Sequence, residues 1–420
     1  MNNRFNVRFS WSVYDWANSA WSAIIITFIF ARYFVDVLAP DKDLGTLYWT
    51  WTIGLSSLVA ALLSPILGSI SDQSQRSKYW LILSTLIYSF IAFSFWFAQP
   101  KGMDLFLIIF LLFIGNISYE ISQIFYNGQL KLITTENNYA KLSGFAWGLG
   151  YAGTVIIFII YYGIFLLPED PIFTLDKTTY ENIRISFPIT GAWILIFSLP
   201  LFISFKDPKS DTITSKFNIK KSFNQIIITF KDLRKYKNII WFLIARLFYM
   251  DGINAIFAVA AIYAATVFGM STTDIIMLGI GTNFAAGIGS WVFSFIENKI
   301  GSKNIIVFSL ICIFIISFAI LLINQKNTFI ILAICLSTFF GPIQSASRVY
   351  FAKFIPDEKK YEFFGFYSFS GKVTSFIGPI LYGTITYTFS SPKLGMASLL
   401  VLFAVGLLLL TKVENDHQIE

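Results

Sequence analysis

Residues 131–150 read KLITTENNYAKLSGFAWGLG, and residues 353–371 read KFIPDEKKYEFFGFYSFSG. Aligned on Lys131-Leu132-Ile133 and Lys353-Phe354-Ile355, the two stretches match again at Tyr139 and Tyr361, Gly144 and Gly365, and Gly150 and Gly371. The offset stays at 221 or 222 residues throughout. One match of this kind arises by chance, but a constant offset along the whole stretch indicates an internal repeat. A second echo agrees with it. Asp15-x-x-Asn18 and Asp251-x-x-Asn254 each stand early in a long apolar run.

Outward from these stretches the chain is a succession of apolar runs. A bilayer core requires about 20 mostly apolar residues per helix. Runs of that kind span approximately 10–37, 47–70, 79–98, 103–127, 143–166, 185–204, 239–267, 273–296, 304–323, 328–351, 363–388 and 395–411. The 420 residues are 56% apolar and 13% charged, against about 25% charged in soluble domains. Such a chain needs an apolar solvent around it. The expected fold is an all-α membrane protein of about twelve transmembrane helices. They form two parallel six-helix repeats about an axis along the membrane normal. The organisation read from this is an N-terminal half at 1–205, a basic linker at 206–238, and a C-terminal half at 239–420 ending in a short polar tail. Nine Lys or Arg lie between Lys206 and Lys237, and a short amphipathic stretch is expected near residues 217–233.

The net charge of +7 resides in loops, so membrane orientation explains it better than nucleic acid does. With the N-terminus inside, about 21 Lys and Arg fall in cytoplasmic segments, about 6 in external ones and four within spans. Both termini are therefore expected in the cytoplasm. The polar start, Met1 to Ser10, does not read as a cleavable signal. Cys312 and Cys335 sit in apolar runs and read as small packing residues, and the single histidine, His417, lies in the polar tail. A His/Cys metal site and an intramembrane histidine relay are excluded. No nucleophile and base pair for an intramembrane enzyme stands out. No cofactor is expected.

Ionisable groups inside spans cost free energy unless they meet a cavity or a partner. The acids are Asp15, Glu120 and Asp251, and the bases are Arg246, Arg348 and Lys372. Arg32 and Asp36 read as interfacial. Helical spacing places Asp15 with Asn18, Asp251 with Asn254, and Glu120 with Gln123 and Asn127 on shared faces. A carboxylate beside a carboxamide binds an ammonium group or takes a proton; the alternative is a polar clamp between helices. Gln344 and Arg348 are four apart, and Arg348 is the candidate for a substrate carboxylate, or else for an ion pair with Glu120 or Asp251. Lys372, or Glu120, is a candidate for carrying a coupled proton. Glycines at 148, 150, 153, 279, 281, 287 and 289 read chiefly as close helix packing, and Trp11, Trp16 and Trp21 as membrane-belt and packing material.

The loop after the second run, Gly68-Ser69-Ile70-Ser71-Asp72-Gln73-Ser74-Gln75-Arg76-Ser77-Lys78, resembles the facilitator loop motif of Gly, then Asp, then Gly and basic residues. Its Asp caps a helix end or pairs with an Arg, latching one conformation. Gln75 stands where the motif has its second Gly, which predicts a different turn. After the eighth run, Asn298 replaces the Asp while Gly301 and Lys303 are kept. Gly68, Asp72, Arg76, Asn298, Gly301 and Lys303 are thus the expected conformational latch.

Tyr14-Asp15-Trp16-Ala17-Asn18-Ser19-Ala20 resembles the hallmark of one branch of the major facilitator superfamily. Gly341-Pro342-Ile343-Gln344-Ser345-Ala346-Ser347-Arg348 and Glu362-Phe363-Phe364-Gly365-Phe366-Tyr367-Ser368, continuing to Gly371-Lys372, agree with it. That branch contains the fungal autophagy-related vacuolar amino-acid effluxer and many bacterial relatives. The resemblance covers essentially the whole chain and implies a carrier with the major facilitator fold, which is not an enzyme. The expectation is alternating access for a small organic solute, with a zwitterionic amino acid first, possible proton coupling, and a monomer in a bacterial inner membrane. Arg348 would then hold the carboxylate and Asp251 or Asp15 the ammonium, with Asn18, Asn254, Gln344 and Gln123 orienting. The competing readings are a sugar, nucleoside or peptide fragment on the same fold, or a non-transporting membrane sensor.

Overall fold

The computed structural model describes residues 2–100, 102–166, 175–208, 228–229 and 233–415. The expected amphipathic stretch of the linker, most of the linker itself and His417 lie outside the described residues. Among the described residues, eleven helices are long and apolar enough to cross a membrane. They are α1 (Asn6–Leu38), α2 (Lys42–Ser74), α3 (Ser77–Phe97), α4 (Leu105–Ile133), α5 (Glu136–Phe165), α6 (Glu181–Ser204), α7 (Lys237–Phe268), α8 (Asp274–Ile300), α9 (Ser302–Leu322), α10 (Lys326–Phe354) and α12 (Pro392–Leu410). The remaining expected passage, 363–388, is broken into α11a (Lys360–Lys372) and α11b (Ile377–Phe389). Among the described residues the fold is all-helical, with eleven unbroken passages and one broken one.

The helix starts are where short polar side chains permit them. Asp41 accepts from Leu44 N at 2.8 Å, Asp104 from the N–H groups of Phe106 and Leu107, and Ser271 with Asp274 forms a capping box. Ser391 caps α12, with Pro392 in its first turn. The break in α11 has a local cause as well. Pro379 has no N–H, and its ring crowds the carbonyl four residues back at Ser375, so helix resumes only with the proline in a first turn.

The first and last described segments lie at one end of the bundle. Arg8 donates to Ile133 O, while Glu414 meets Asn238 and Tyr350. We call this the terminal end. The apolar core is continuous from α1–α6 into α7–α12 there, through Trp11, Tyr14, Phe125, Tyr361 and Phe364. At the opposite end, α1–α6 have a separate core built on Trp21, Phe30, Tyr88, Phe95 and Phe187. Trp11 and Trp21 are fully buried, which removes them from the membrane belt.

Two glycines set the close contact at the terminal end. A Cβ on Gly68 would lie 2.1 Å from Tyr361 O, and one on Gly365 would lie 2.5 Å from Ser64 O. Helices α2 and α11a therefore touch backbone to backbone. Gly148 and Gly287 bring α5 and α8 together in the same way, which matches the packing reading of those glycines.

Candidate functional site

The residues expected to form a latch come first, at the terminal end. Asp72 Oδ1 accepts from Tyr361 N at 3.1 Å and Oδ2 from Glu362 N at 2.8 Å. A carboxylate from α2 thereby satisfies orphan N–H groups in the first turn of α11a. Gln75 has φ 50 and ψ 37, the left-handed conformation a glycine would take. The turn is thus retained rather than altered, at some backbone cost to a side-chain-bearing residue. Arg76 is exposed, and its backbone is the N-cap of α3.

In the second loop, Asn298 Nδ2 donates to Asn137 O at 2.6 Å, across the two sets of six. A carboxylate cannot donate, which gives a physical reason for Asn in place of Asp here. Gly301 has φ 88 at the end of α8, and Lys303 Nζ reaches Val413 O. Lys131 adds a further tie, bonding Ile355 O at 2.6 Å and Asp357 at 2.8 Å. Sequence reading missed Asp207, whose carboxylate accepts from the Ser77 hydroxyl and Lys78 N and so caps α3.

Deeper in the bundle, the membrane-embedded charges sort into three groups. The first is Glu120 and Lys372, paired at 2.7 Å across α4 and α11a. The Glu120 side chain is 7% exposed and that of Lys372 35%, although it projects from mid-passage. The break in α11 directly after Lys372 leaves this ammonium at a helix end rather than within a packed turn. Asn116, one turn away on α4, donates to Ser56 at 2.8 Å. Gln123 is half-buried and makes a long contact, 3.4 Å, to Ser122.

The second group surrounds Arg348, whose side chain is 2% exposed. Its Nε donates to Ser143 Oγ at 2.9 Å and Nη2 to Ser143 O at 2.9 Å. Nη1 reaches Asn127 Oδ1 at 3.2 Å and Asp15 Oδ2 at 3.4 Å. The guanidinium lies 4.7 Å from the Trp11 ring, 5.6 Å from Tyr126 and 5.7 Å from Trp147. Its carboxylate partner is thus Asp15, not Glu120 or Asp251, and its donors are already engaged in this conformation. Gln344, one turn away on α10, donates to Tyr151 at 2.9 Å and to Phe340 O at 3.0 Å. Asn18 turns away from Asp15 and accepts from Tyr88 Oη at 3.1 Å, within α1–α6. Sequence reading did not find Tyr126, Ser143 or Trp147. The signal was the spacing of four between Trp11 and Asp15 and between Ser143 and Trp147.

The third group belongs to α7 and flanks the break in α11. Arg246 Nη1 donates to Tyr367 O at 2.6 Å and to Ser370 Oγ at 2.9 Å, with its guanidinium 3.5 Å over the Tyr367 ring. Asn254 Nδ2 donates to Gly371 O at 3.2 Å. Asn254 therefore serves the last turn of α11a, where carbonyls lose their helical partners, and Arg246 binds just before it. Asp251 Oδ1 accepts from Gly378 N at 3.4 Å, in the first turn of α11b. Positive and neutral donors meet the negative end of one segment, and a carboxylate meets the positive end of the next. The repeated Asp-x-x-Asn is therefore used differently in its two copies. In α1 it is split between Arg348 and Tyr88; in α7 it splints a broken helix.

The hydrogen bonds and ion pairs between α1–α6 and α7–α12 described above all lie from the level of Glu120–Lys372 to the terminal end. Lys372 of the first group is 35% exposed, whereas Arg348, on the terminal side of it, is 2% exposed. Asn127 is seven residues from Glu120 on α4, so the two ionic layers are roughly 10 Å apart along the helix.

Comparison with known proteins agrees with this fold. The family described as "Vacuole effluxer Atg22 like" matches residues 46–140 and 133–420. The chain is similar to the uncharacterised MFS-type transporter YxiO of Bacillus subtilis, at 28% identity over 97% of this chain and 94% of that one. It is also similar to autophagy-related protein 22 of Cryptococcus neoformans, at 26% identity over 64% of this chain. The match spans only 53% of that fungal protein. Among solved structures, the E. coli fucose:proton symporter FucP superposes with a TM-score of 0.75, at 15% identity and 99% coverage of both chains.

Proposed function

Because the chain belongs to the family of Atg22-like vacuole effluxers, and is a multi-pass transporter of the major facilitator type, we propose that it carries small organic solutes, zwitterionic amino acids first, by alternating access. Residues 1–205 and 239–420 act as the two moving halves, joined by the linker. The observation that carries this reading is the Glu120–Lys372 pair between α4 and α11a, whose ammonium is partly exposed in mid-passage. An ammonium and a carboxylate 2.7 Å apart, one partly exposed, form a template for a ligand bearing both charges. The substrate carboxylate takes Lys372 and its ammonium takes Glu120, so the ligand inserts between two groups that otherwise neutralise each other. This moves the carboxylate role from Arg348, which is spoken for, to Lys372. It leaves Asp251 and Asn254 as positioning residues behind the break.

Proton coupling fits the same pair. A substrate that separates Glu120 from Lys372 leaves each dependent on the ligand for charge balance. The excess of Lys and Arg on the terminal side supports cytoplasmic termini in a bacterial inner membrane, so the end that is tied together in this conformation is the cytoplasmic one. The test is counterflow in proteoliposomes with a panel of amino acids, sugars and nucleosides, with and without a pH gradient. Exchange of amino acids that is lost in Lys372→Met supports the reading. Exchange of sugars or nucleosides alone, or amino-acid exchange indifferent to Lys372→Met, overturns the substrate assignment.

A further inference from the structure

The surroundings of Arg348 are supplied by one half of the molecule and the cation by the other. Trp11 and Asp15 come from α1, Tyr126 and Asn127 from α4, and Ser143 and Trp147 from α5, whereas Arg348 comes from α10. Three aromatic faces within 6 Å, a carboxylate and a carboxamide oxygen are the ingredients of an organic-cation site. Two further features mark the fit of arginine as incomplete. The Asp15 contact is long, at 3.4 Å. The buried Trp147 indole N–H has no hydrogen-bond partner among the described residues.

We propose that this cage in the N-terminal half is a binding site for an organic ammonium ion, and that Arg348 is its tethered competitor, filling the cage while the terminal end is closed. The inference rests on the alternating-access reading above, though not on the zwitterion assignment at Lys372. When the halves part at the terminal end, α10 withdraws the guanidinium from a cage that stays with α1, α4 and α5. Asp15 then stands without its counter-ion in a mostly buried place, a state that a buried carboxylate avoids by recruiting a cation. An ammonium arriving between the parted halves meets the requirement, and Arg348 expels it on closure. The cage would therefore serve as the release site on the path, and competition by Arg348 would make release part of the conformational change.

The test uses ethylammonium as the probe on the purified full-length chain in detergent. Arg348→Gln vacates the cage. Its melting temperature is expected to rise with ethylammonium in the millimolar range, while the wild-type value stays unchanged and the Asp15→Asn/Arg348→Gln double variant loses the response. A second readout covers failure of Arg348→Gln to fold. Ser345→Cys, in a chain with Cys312 and Cys335 replaced by Ser, places a thiol at a position that is 1% exposed while the halves are closed. Ethylammonium should raise its rate of alkylation several-fold by holding the halves apart, and Asp15→Asn should abolish the increase. Stabilisation of Arg348→Gln by acid but not by ethylammonium would mean that a proton replaces Arg348, and would overturn the proposal. Alkylation indifferent to ethylammonium would overturn it too. Amino-acid counterflow can fail without affecting either readout, so the two readings are separable.

Discussion

Lys372→Met leaves Glu120 without a cation at a position where its side chain is 7% exposed. Breaking a fully buried pair costs about 3–5 kcal/mol. Lys372 is 35% exposed and so better solvated, which puts the expected loss nearer 1–2 kcal/mol. The prediction is abolished counterflow with a modest drop in melting temperature, and recovery of the melting temperature but not of transport in Glu120→Gln/Lys372→Met. Equal activity in the double variant would remove the pair from the substrate path. A second prediction concerns Asn298, which donates to Asn137 O. Asn298→Asp restores the residue usual for the loop motif but sets a carboxylate oxygen against a carbonyl oxygen. Closure at the terminal end should weaken, read as faster alkylation of Ser345→Cys, whereas a variant that closes as well as the wild type would contradict the donor role. At this scale the sequence made the charged residues legible, because an ionisable group in an apolar run announces itself. Their partners were not legible. The pairing of Arg348 with Asp15 joins residues 333 apart, and nothing in local spacing selects that acid over Glu120 or Asp251.

At the scale of the element, the broken α11 is the feature that sets the site. Gly371, Gly378 and Pro379 were all available as sequence signals for a break, yet the apolar content from 363 to 388 read as one continuous span. Apolarity reports burial in lipid and is blind to whether the helix is continuous. The break persists because α7 satisfies both of its ends, with Arg246 and Asn254 on one side and Asp251 on the other. Asn254→Ala leaves Gly371 O without its side-chain donor, at a cost of about 1–3 kcal/mol for a buried carbonyl. We expect a lower melting temperature and, because Lys372 adjoins Gly371, a raised KM with little change in the maximal rate of exchange. Asn254→Asp, which keeps the shape but cannot donate as an anion, should behave like the Ala variant. An unchanged KM in both would separate the splint from the site.

For the whole molecule, the conformation is decided by what joins the two sets of six and at which end. Asp72 on the first turn of α11a, the glycine contacts at Gly68 and Gly365, and the Lys131 and Asn298 ties all lie at the terminal end. A charge at a helix N-terminus contributes about 0.3–2 kcal/mol, and 1.4 kcal/mol is a tenfold change in population. Asp72→Asn removes the charge and one of two acceptors, so the population open at the terminal end should grow by up to roughly thirtyfold. Accessibility of Ser345→Cys to a membrane-impermeant maleimide in inside-out vesicles measures it. Labelling from the opposite face instead would place the termini outside and reverse the orientation proposed here. The repeat at 131–150 and 353–371 is informative at this scale. Its two copies supply Lys131 and Tyr361, which both stand in the contact between the halves, the first through Ile355 O and the second against Gly68 and Gly128.

Composition and periodicity alone determined that this chain crosses a membrane about twelve times in two repeated sets, because transfer of apolar helices into lipid is a local property that accumulates residue by residue. The internal repeat was legible for the same reason, as a pattern needing no partner. Only the tertiary structure decided which buried charges meet. It paired Lys372 with Glu120, gave Arg348 a cage of rings drawn from three helices of the other half, and made the second Asp-x-x-Asn a brace for a broken helix. A buried charge is stabilised by whichever opposite charge or dipole packing brings within a few ångströms. That choice depends on how helices far apart in sequence are set against one another.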